Sequence, residues 1–366
     1  MQTMHPTLLI GPADWDDEQM PRAEFKVRLE ALWRDDWQAG GAIVYGDAAD
    51  HAALAYLTHF TPKLEPGIAL LSRNGDARLL VGGGINMIPA AKPLTWVGNL
   101  LPLRSAAKTV AEWYATLPGG SGLMLIGGDA MPYQMRNEIV AALGPDVGID
   151  DGTPIVRALM RRKSTRELAA IEEAGLILGE AIAALQQAKD QGVGAAVLAA
   201  EHVAWRRGAQ DVRSLFSLDG GRTLVPFDVP VPQTVDPLQV YFAVRCSGYW
   251  AEGFAMLSGR PHAPLIAAEA ALQAALAQVG PGVKPAALIE TIATAMPAFG
   301  PHHITSPSVI GVGLSLQQDL PPDEPLDVGN VLSLRAGVSD PQQGAAMVSA
   351  LVAVTEDGCD VYWSAV

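Results

Sequence analysis

Residues 329–338 read Gly329-Asn330-Val331-Leu332-Ser333-Leu334-Arg335-Ala336-Gly337-Val338. The run Val331–Ala336 is short, apolar and bounded by glycine, which is the pattern of a β-strand, and a fixed cation, Arg335, stands inside it. Further β-type segments lie on either side: Leu215–Leu218, Gln239–Cys246, Ala251–Leu257, Val309–Leu316 and Met347–Thr355. Helical patterns separate them. Ser164-Thr165-Arg166-Glu167 is a capping box, in which the Ser hydroxyl takes an orphan N–H and the Glu reaches back. Leu168, Ile171, Gly175, Leu178, Ile182 and Leu185 then recur on one face, so a long amphipathic helix follows. Further helices are expected near 195–207, near 264–279 (stopped by Gly280-Pro281-Gly282) and near 285–297. Long strands paired with helices make the second half α+β.

The first half reads as a smaller α/β domain. A helix is expected over 25–40 and a strand over Ala42–Tyr45. Ile68–Leu71 and Arg78–Val81 flank an Asn74-Gly75 hairpin turn, and Leu123–Ile126 is a further strand. Asp150-Asp151-Gly152 and Arg161-Arg162-Lys163 suggest a linker over 150–163, giving domains of 1–155 and 156–366.

The 366 residues are 49% hydrophobic and 17% charged, which excludes a largely disordered chain. A net charge of −14 argues against a broad electrostatic hold on nucleic acid or an anionic membrane. No apolar run reaches the length of a membrane span, and no secretory signal pattern is seen at the N-terminus. Two cysteines, Cys246 and Cys359, make neither a disulfide framework nor a four-sulfur zinc site. A cytoplasmic protein with reduced thiols is the expectation.

Several segments resemble the creatinase/aminopeptidase P/prolidase superfamily, the pita-bread proteins. Residues 157–167 are similar to the approach to that family's first long helix. Gly248-Tyr249-Trp250-Ala251-Glu252 resembles its ligand hairpin, and Gly311-Val312-Gly313-Leu314-Ser315-Leu316 the stretch after its metal-binding His. Residues 329–338 resemble its Glu-Pro-Gly strand, and Val354-Thr355-Glu356-Asp357-Gly358 its closing strand and turn. Asp50–Thr58 fits the smaller domain of the creatinase and prolidase branch. The resemblance implies a C-terminal pita-bread domain preceded by a creatinase-type N-terminal domain, and a homodimer.

The family's dinuclear site uses two Asp, one His and two Glu, hard ligands that hold two divalent ions. Carried over position by position, the resemblance places Tyr241, Glu252, Ile310, Arg335 and Ser349 there. One carboxylate does not hold two divalent cations, and a guanidinium repels them. No metal and no cofactor are therefore expected. Glu252 becomes the candidate proton carrier, as creatinase-like members place a glutamate at this position; the equal alternative is a buried ion pair with Arg335 that fills the former metal space. Arg335 suits a substrate carboxylate, with Arg245 as a second anion binder. Tyr241 and Ser349 would orient substrate or water, and Ile310, Trp250 and Phe227 would supply apolar walls. Where the creatinase branch has a catalytic His, this chain has Phe227 and Asp228, so Asp228, His302 and His303 are the alternative proton carriers. The resemblance would allow His51 and His59 to reach a partner's pocket across a dimer, but the favoured reading of both is an ordinary structural one.

Three functions fit. The leading expectation is a metal-independent, creatinase-like hydrolase or lyase acting on a C–N or related bond of a small carboxylate-bearing substrate. The alternatives are a non-catalytic pseudo-peptidase that binds a small ligand or protein partner, and an Xaa-Pro metallopeptidase with an unusual site.

Overall fold

The computed structural model of the chain describes residues 14–33, 39–226, 233–295 and 308–366. Its contacts divide it into two compact units between Met160 and Arg161. The first unit contains α1 (Arg22–Leu32), β1 (Ala39–Gly46), α2 (Ala52–Thr58), β2 (Gly67–Ser72), β3 (Ala77–Val81), α3 (Ile88–Ala91), β4 (Asn99–Pro102), α4 (Ala106–Tyr114), β5 (Gly122–Ile126), α5 (Tyr133–Leu143), β6 (Ile149–Asp151) and α6 (Thr153–Arg161). The strands form one mixed sheet in the order β4-β3-β2-β1-β5-β6. The β2–β3 hairpin turns at Asn74-Gly75, with Gly75 at φ 92° and the Asp76 amide bonded to Ser72 Oγ at 2.9 Å. Trp113 fills the core with Ile43, Leu70 and Leu123. A Cβ on Gly41 would lie 2.5 Å from its ring, so only glycine lets strand and indole approach this closely.

Residues 150–163, expected as the linker, contain the division between the units and are ordered as β6 followed by α6. Asp151 Oδ1 accepts the Thr153 amide at 2.9 Å, so the Asp-Gly pair starts a helix instead of opening a loop. His59 takes the structural role favoured for it. It sits in the left-handed region (φ 64°) after α2, with Nδ1 3.3 Å from the Leu94 carbonyl and its ring edge-on to Phe25. Burial pushes its pKa down. His51 is half-buried at the start of α2.

The second unit holds α7 (Thr165–Ala188), α8 (Val193–Arg206), β7 (Asp211–Phe216), β8 (Val225–Pro226), β9 (Leu238–Cys246), β10 (Tyr249–Leu257), α9 (Ala263–Leu276), α10 (Pro285–Thr294), β11 (Val309–Gly311), β12 (Val331–Asp340), β13 (Gly344–Thr355) and β14 (Gly358–Ser364). Its strands make two four-stranded sheets, β10-β9-β7-β8 and β11-β12-β13-β14. The Ser164 capping box closes as the sequence requires: the Glu167 amide reaches Ser164 Oγ at 3.3 Å and the Ser164 amide reaches Glu167 Oε2 at 3.0 Å. Side-chain alternation divides β12 in two. Leu332, Leu334, Ala336 and Val338 join the core beneath α9 and α10, with Val348, Ala350 and Val352 of β13. Ser333 and Arg335 are left on the opposite face.

The strand expected over Val309–Leu316 is regular only to Gly311. The chain then folds back, with the Gln318 amide on the Gly311 carbonyl at 2.8 Å and the Trp250 amide on the Gly313 carbonyl at 2.8 Å. Gln318 Oε1 also accepts Lys163 Nζ at 2.7 Å, and the Arg161 carbonyl accepts it at 3.2 Å. Lys163 is buried, and loss of solvent brings its pKa down to about 8 despite the nearby Glu167 charge. The folded state therefore releases this proton near pH 8, whereas the unfolded chain holds it towards the ordinary 10.5. The unfolded state binds more protons in that window, so this group makes stability rise as pH climbs through it. Urea denaturation at about pH 7 and about pH 10 should show wild type gaining on Lys163→Met as pH rises; a constant difference would remove the amine from the pH dependence.

Candidate functional site

Glu252 of β10 and Arg335 of β12 meet between the two sheets. Glu252 is 1% exposed and Arg335 7%. Arg335 Nε donates to Glu252 Oε1 at 3.0 Å, and Nη2 donates to the same oxygen at 2.5 Å. The Tyr241 hydroxyl donates to Oε2 at 2.9 Å. Both carboxylate oxygens are thus engaged, and the buried negative charge has a fixed positive partner. Phe254 floors the pair: Arg335 Cζ lies 5.3 Å from its ring centroid, and the Tyr241 ring stands 4.7 Å away, tilted by 46°. Burial, then the Glu252 charge and hydrogen bond, push the Tyr241 phenol well up, so it stays a donor.

The register explains why these residues converge. Glu252 pairs with Ala243 and Phe254 with Tyr241, so all four side chains share one face of the β9–β10 ladder. Arg335 pairs with Ser349, and Ile310 pairs with Ser333, which places those four on one face of the other sheet. Two bridges hold the faces together. Ser349 Oγ accepts the Phe254 amide at 2.8 Å. Buried Gln239 donates from Nε2 to the carbonyls of Met347 (2.9 Å) and Ala255 (3.0 Å), and accepts the Met347 amide at 2.8 Å. Ser349 therefore has a structural bond, and Ile310 is buried on the neighbouring row. Ser333 Oγ is fully buried and has no hydrogen-bond partner among the described residues. Arg335 Nη1 likewise bonds to none of them.

Trp250 and Arg245 form a neighbouring register pair. Arg245 is 4% exposed and its guanidinium lies 5.4 Å from the Trp250 ring centroid. Arg213 of β7 covers the same indole at 4.7 Å. Burial lowers the Arg245 pKa, Asp211 opposes that shift, and the Arg213 charge adds to it. Cys246, half-buried, has its thiol pushed up by burial, which makes it a poor nucleophile. Phe227, Asp228, His302 and His303 lie outside the described residues.

The structure brings Tyr241, Glu252 and Arg335 into direct contact. Sequence reasoning missed Arg213, Phe254, Ser333 and Gln239. The signal for Arg213 was available in the period-two pattern of β7. The strand had been expected to begin at Leu215, whereas it begins at Asp211.

The donor set does not fit the family's dinuclear metal centre. Among the described residues no group of three or more His, Cys, Asp or Glu is placed to hold a metal. At the five positions carried over from the resemblance, Glu252 is the one carboxylate, and a guanidinium occupies the side from which a cation would approach it.

A scan against protein-family models found no match, and a search of curated proteins found none. Solved structures do match. The chain is similar to X-Pro aminopeptidase from Thermotoga maritima (TM-score 0.75, 17% identity, 92% of this chain and 97% of that one). It is also similar to prolidase from Thermococcus sibiricus (0.76, 16%, 97% and 98%). Aminopeptidase P from Escherichia coli, solved in complex with substrate, matches at 0.74 and 15% identity over 93% and 94%. These likenesses establish the fold: the chain is an α+β protein of the pita-bread type.

The ion pair has a thermodynamic signature. Arg335→Met strands a buried carboxylate and should cost about 3–5 kcal/mol, whereas Glu252→Leu combined with Arg335→Met should recover most of that loss. Denaturant midpoints of the two variants check this. Equal losses would mean that packing, and not charge, governs the site.

Proposed function

We propose that this chain recognises a short peptide or peptide-like carboxylate on the pita-bread inner face, without a metal. One observation carries this reading: the Glu252 carboxylate is already bonded by Arg335 and Tyr241, while Arg335 Nη1 bonds to none of the described residues. A guanidinium edge bonds a carboxylate well, so Arg335 can receive the ligand's anionic end. The ligand class follows from the fold relatives, which are Xaa-Pro peptidases. This is the non-catalytic alternative of the sequence reading, with Arg335 as anchor and Ile310 and Trp250 as apolar walls. Two thiols without disulfides fit a reducing cytoplasm, and a homodimer is the assembly the resemblance supports.

A second reading has its own support. The matched structures are peptidases along nearly their whole length, which favours an Xaa-Pro peptidase with an unusual site. The creatinase-type hydrolase stands behind both. Its proton carrier, Glu252, has no free oxygen, and the matched structures bear peptidase names.

Purified protein settles the order. Expected are sub-stoichiometric metal by elemental analysis, no hydrolysis of Xaa-Pro dipeptides in added manganese or cobalt, and a thermal shift with short peptides. Two bound divalent ions per chain with dipeptide turnover would restore the peptidase. Turnover of a small C–N substrate abolished by Glu252→Gln would restore the creatinase-type enzyme.

A further inference from the structure

The inner-face cluster holds two unspent hydrogen-bonding atoms of opposite kind. The Tyr241 hydroxyl spends its proton on Glu252 Oε2 at 2.9 Å, and none of the described residues donates to its oxygen. A phenol has one proton, so towards any other group this oxygen can only accept. Burial and the Glu252 charge keep that proton in place. Tyr241 is partly exposed, whereas Glu252 is buried. The second atom is Arg335 Nη1, a donor that bonds to none of the described residues. One carboxylate ties acceptor and donor together. Tyr241 lies 2.9 Å from Glu252 Oε2, and Arg335 Nη2 lies 2.5 Å from Oε1. Each carboxylate oxygen is about 1.2 Å from the shared carbon, so the phenol oxygen and this guanidinium nitrogen are within about 8 Å of each other.

We propose that Tyr241 accepts the backbone N–H of the ligand's C-terminal residue while Arg335 holds that residue's carboxylate, so that peptides ending in proline are disfavoured. The inference rests on the reading that Arg335 takes the ligand's carboxylate. Covalent geometry supports it. In a C-terminal residue a single Cα separates the amide nitrogen from the carboxylate, about 3 Å from nitrogen to oxygen, and a hydrogen bond of about 2.9 Å at either end covers the distance to Tyr241 and Arg335. Such a residue therefore offers a donor and an anion at the spacing of an acceptor and a cation. Proline offers the anion alone, since its nitrogen carries no hydrogen. In the same pose it faces the Tyr241 lone pairs with carbon, and an acceptor desolvated without a partner costs free energy. An Xaa-Pro dipeptide, the class in the name of one matched dipeptidase, lacks this N–H. The site that Tyr241 and Arg335 form is thus built for a different C-terminus, and Tyr241 is its specificity-determining residue.

Calorimetric titration of the full chain with Ala-Ala, its ester analogue alanyl-lactate, Ala-Pro and Ala-Ala amide tests the inference. Alanyl-lactate keeps the shape and both charges of Ala-Ala and puts an oxygen, which only accepts, in place of the N–H. Ala-Ala should bind at least about tenfold tighter than alanyl-lactate, and tighter than Ala-Pro. Tyr241→Phe should bring the ratio of Ala-Ala to alanyl-lactate near one, whatever it does to their common affinity through Glu252. The wild-type pair decides the matter even where this variant fails to fold. Equal affinity for peptide and ester, Ala-Pro binding as tightly as Ala-Ala, or a preference that survives Tyr241→Phe overturns the Tyr241 contact. Ala-Ala still favoured over its amide in that event leaves the Arg335 reading standing. Ala-Ala bound no tighter than its amide, or no binding by any of the four, overturns both.

Discussion

The inner face depends on one buried ion pair. Glu252, 1% exposed, would be prohibitively costly as a lone charge, and Arg335 supplies a permanent counter-charge at hydrogen-bond distance. A guanidinium neutralises one carboxylate. Two divalent cations would call for several. The replacements at the positions carried over from the resemblance are therefore linked. Once an arginine stands in β12, additional carboxylates are not required, and the neutral residues Tyr241, Ser349 and Ile310 meet it without leaving charge unmatched. Tyr241 caps the remaining carboxylate oxygen, and Phe254 gives the cation an aromatic floor.

The pair also needs the two sheets to stay in register, and polar side chains secure this. Gln239 uses both ends of its amide on Met347 across the gap, and Ser349 takes a main-chain amide that β10 would otherwise leave unpaired. The opposite face of β12 and β13 is uniformly apolar beneath α9 and α10. That face fixes which side chains turn inward, because a one-residue slip would bury Arg335 among leucines and valines. Hydrophobic alternation thus sets the orientation of the cation, and hydrogen bonds set its distance to the anion.

Much of this was legible in the sequence. Period-two alternation located β9, β10, β12 and β13 within a few residues, and the Ser164–Glu167 box located α7. The fold resemblance agrees with the solved structures that match. The glutamate–arginine contact was foreseeable as a salt bridge. Its closure by Tyr241 was not, since a tyrosine eleven residues upstream of a glutamate signals nothing until register is known. Arg213 was missed because the charged start of β7 resembles a loop. Within 150–163 the short strand and helix were not legible, because Asp-Gly serves both turns and helix starts and only tertiary contacts distinguish the two. The Gly311–Gln318 fold-back was hidden by a run of apolar residues that reads as strand.

Charge is distributed unevenly over these two sheets. In a protein of net charge −14, three arginines stand on the inner faces of these two sheets, each over an aromatic ring. Arg335 is matched by Glu252, so its attraction is directional and short-ranged. Arg213, more than half exposed and 3.9 Å from Asp211, is screened by solvent and salt. The buried, matched guanidinium and the exposed one therefore differ in their response to ionic strength: the Arg335–Glu252 pair is shielded from salt by burial, and the charge of Arg213 is not.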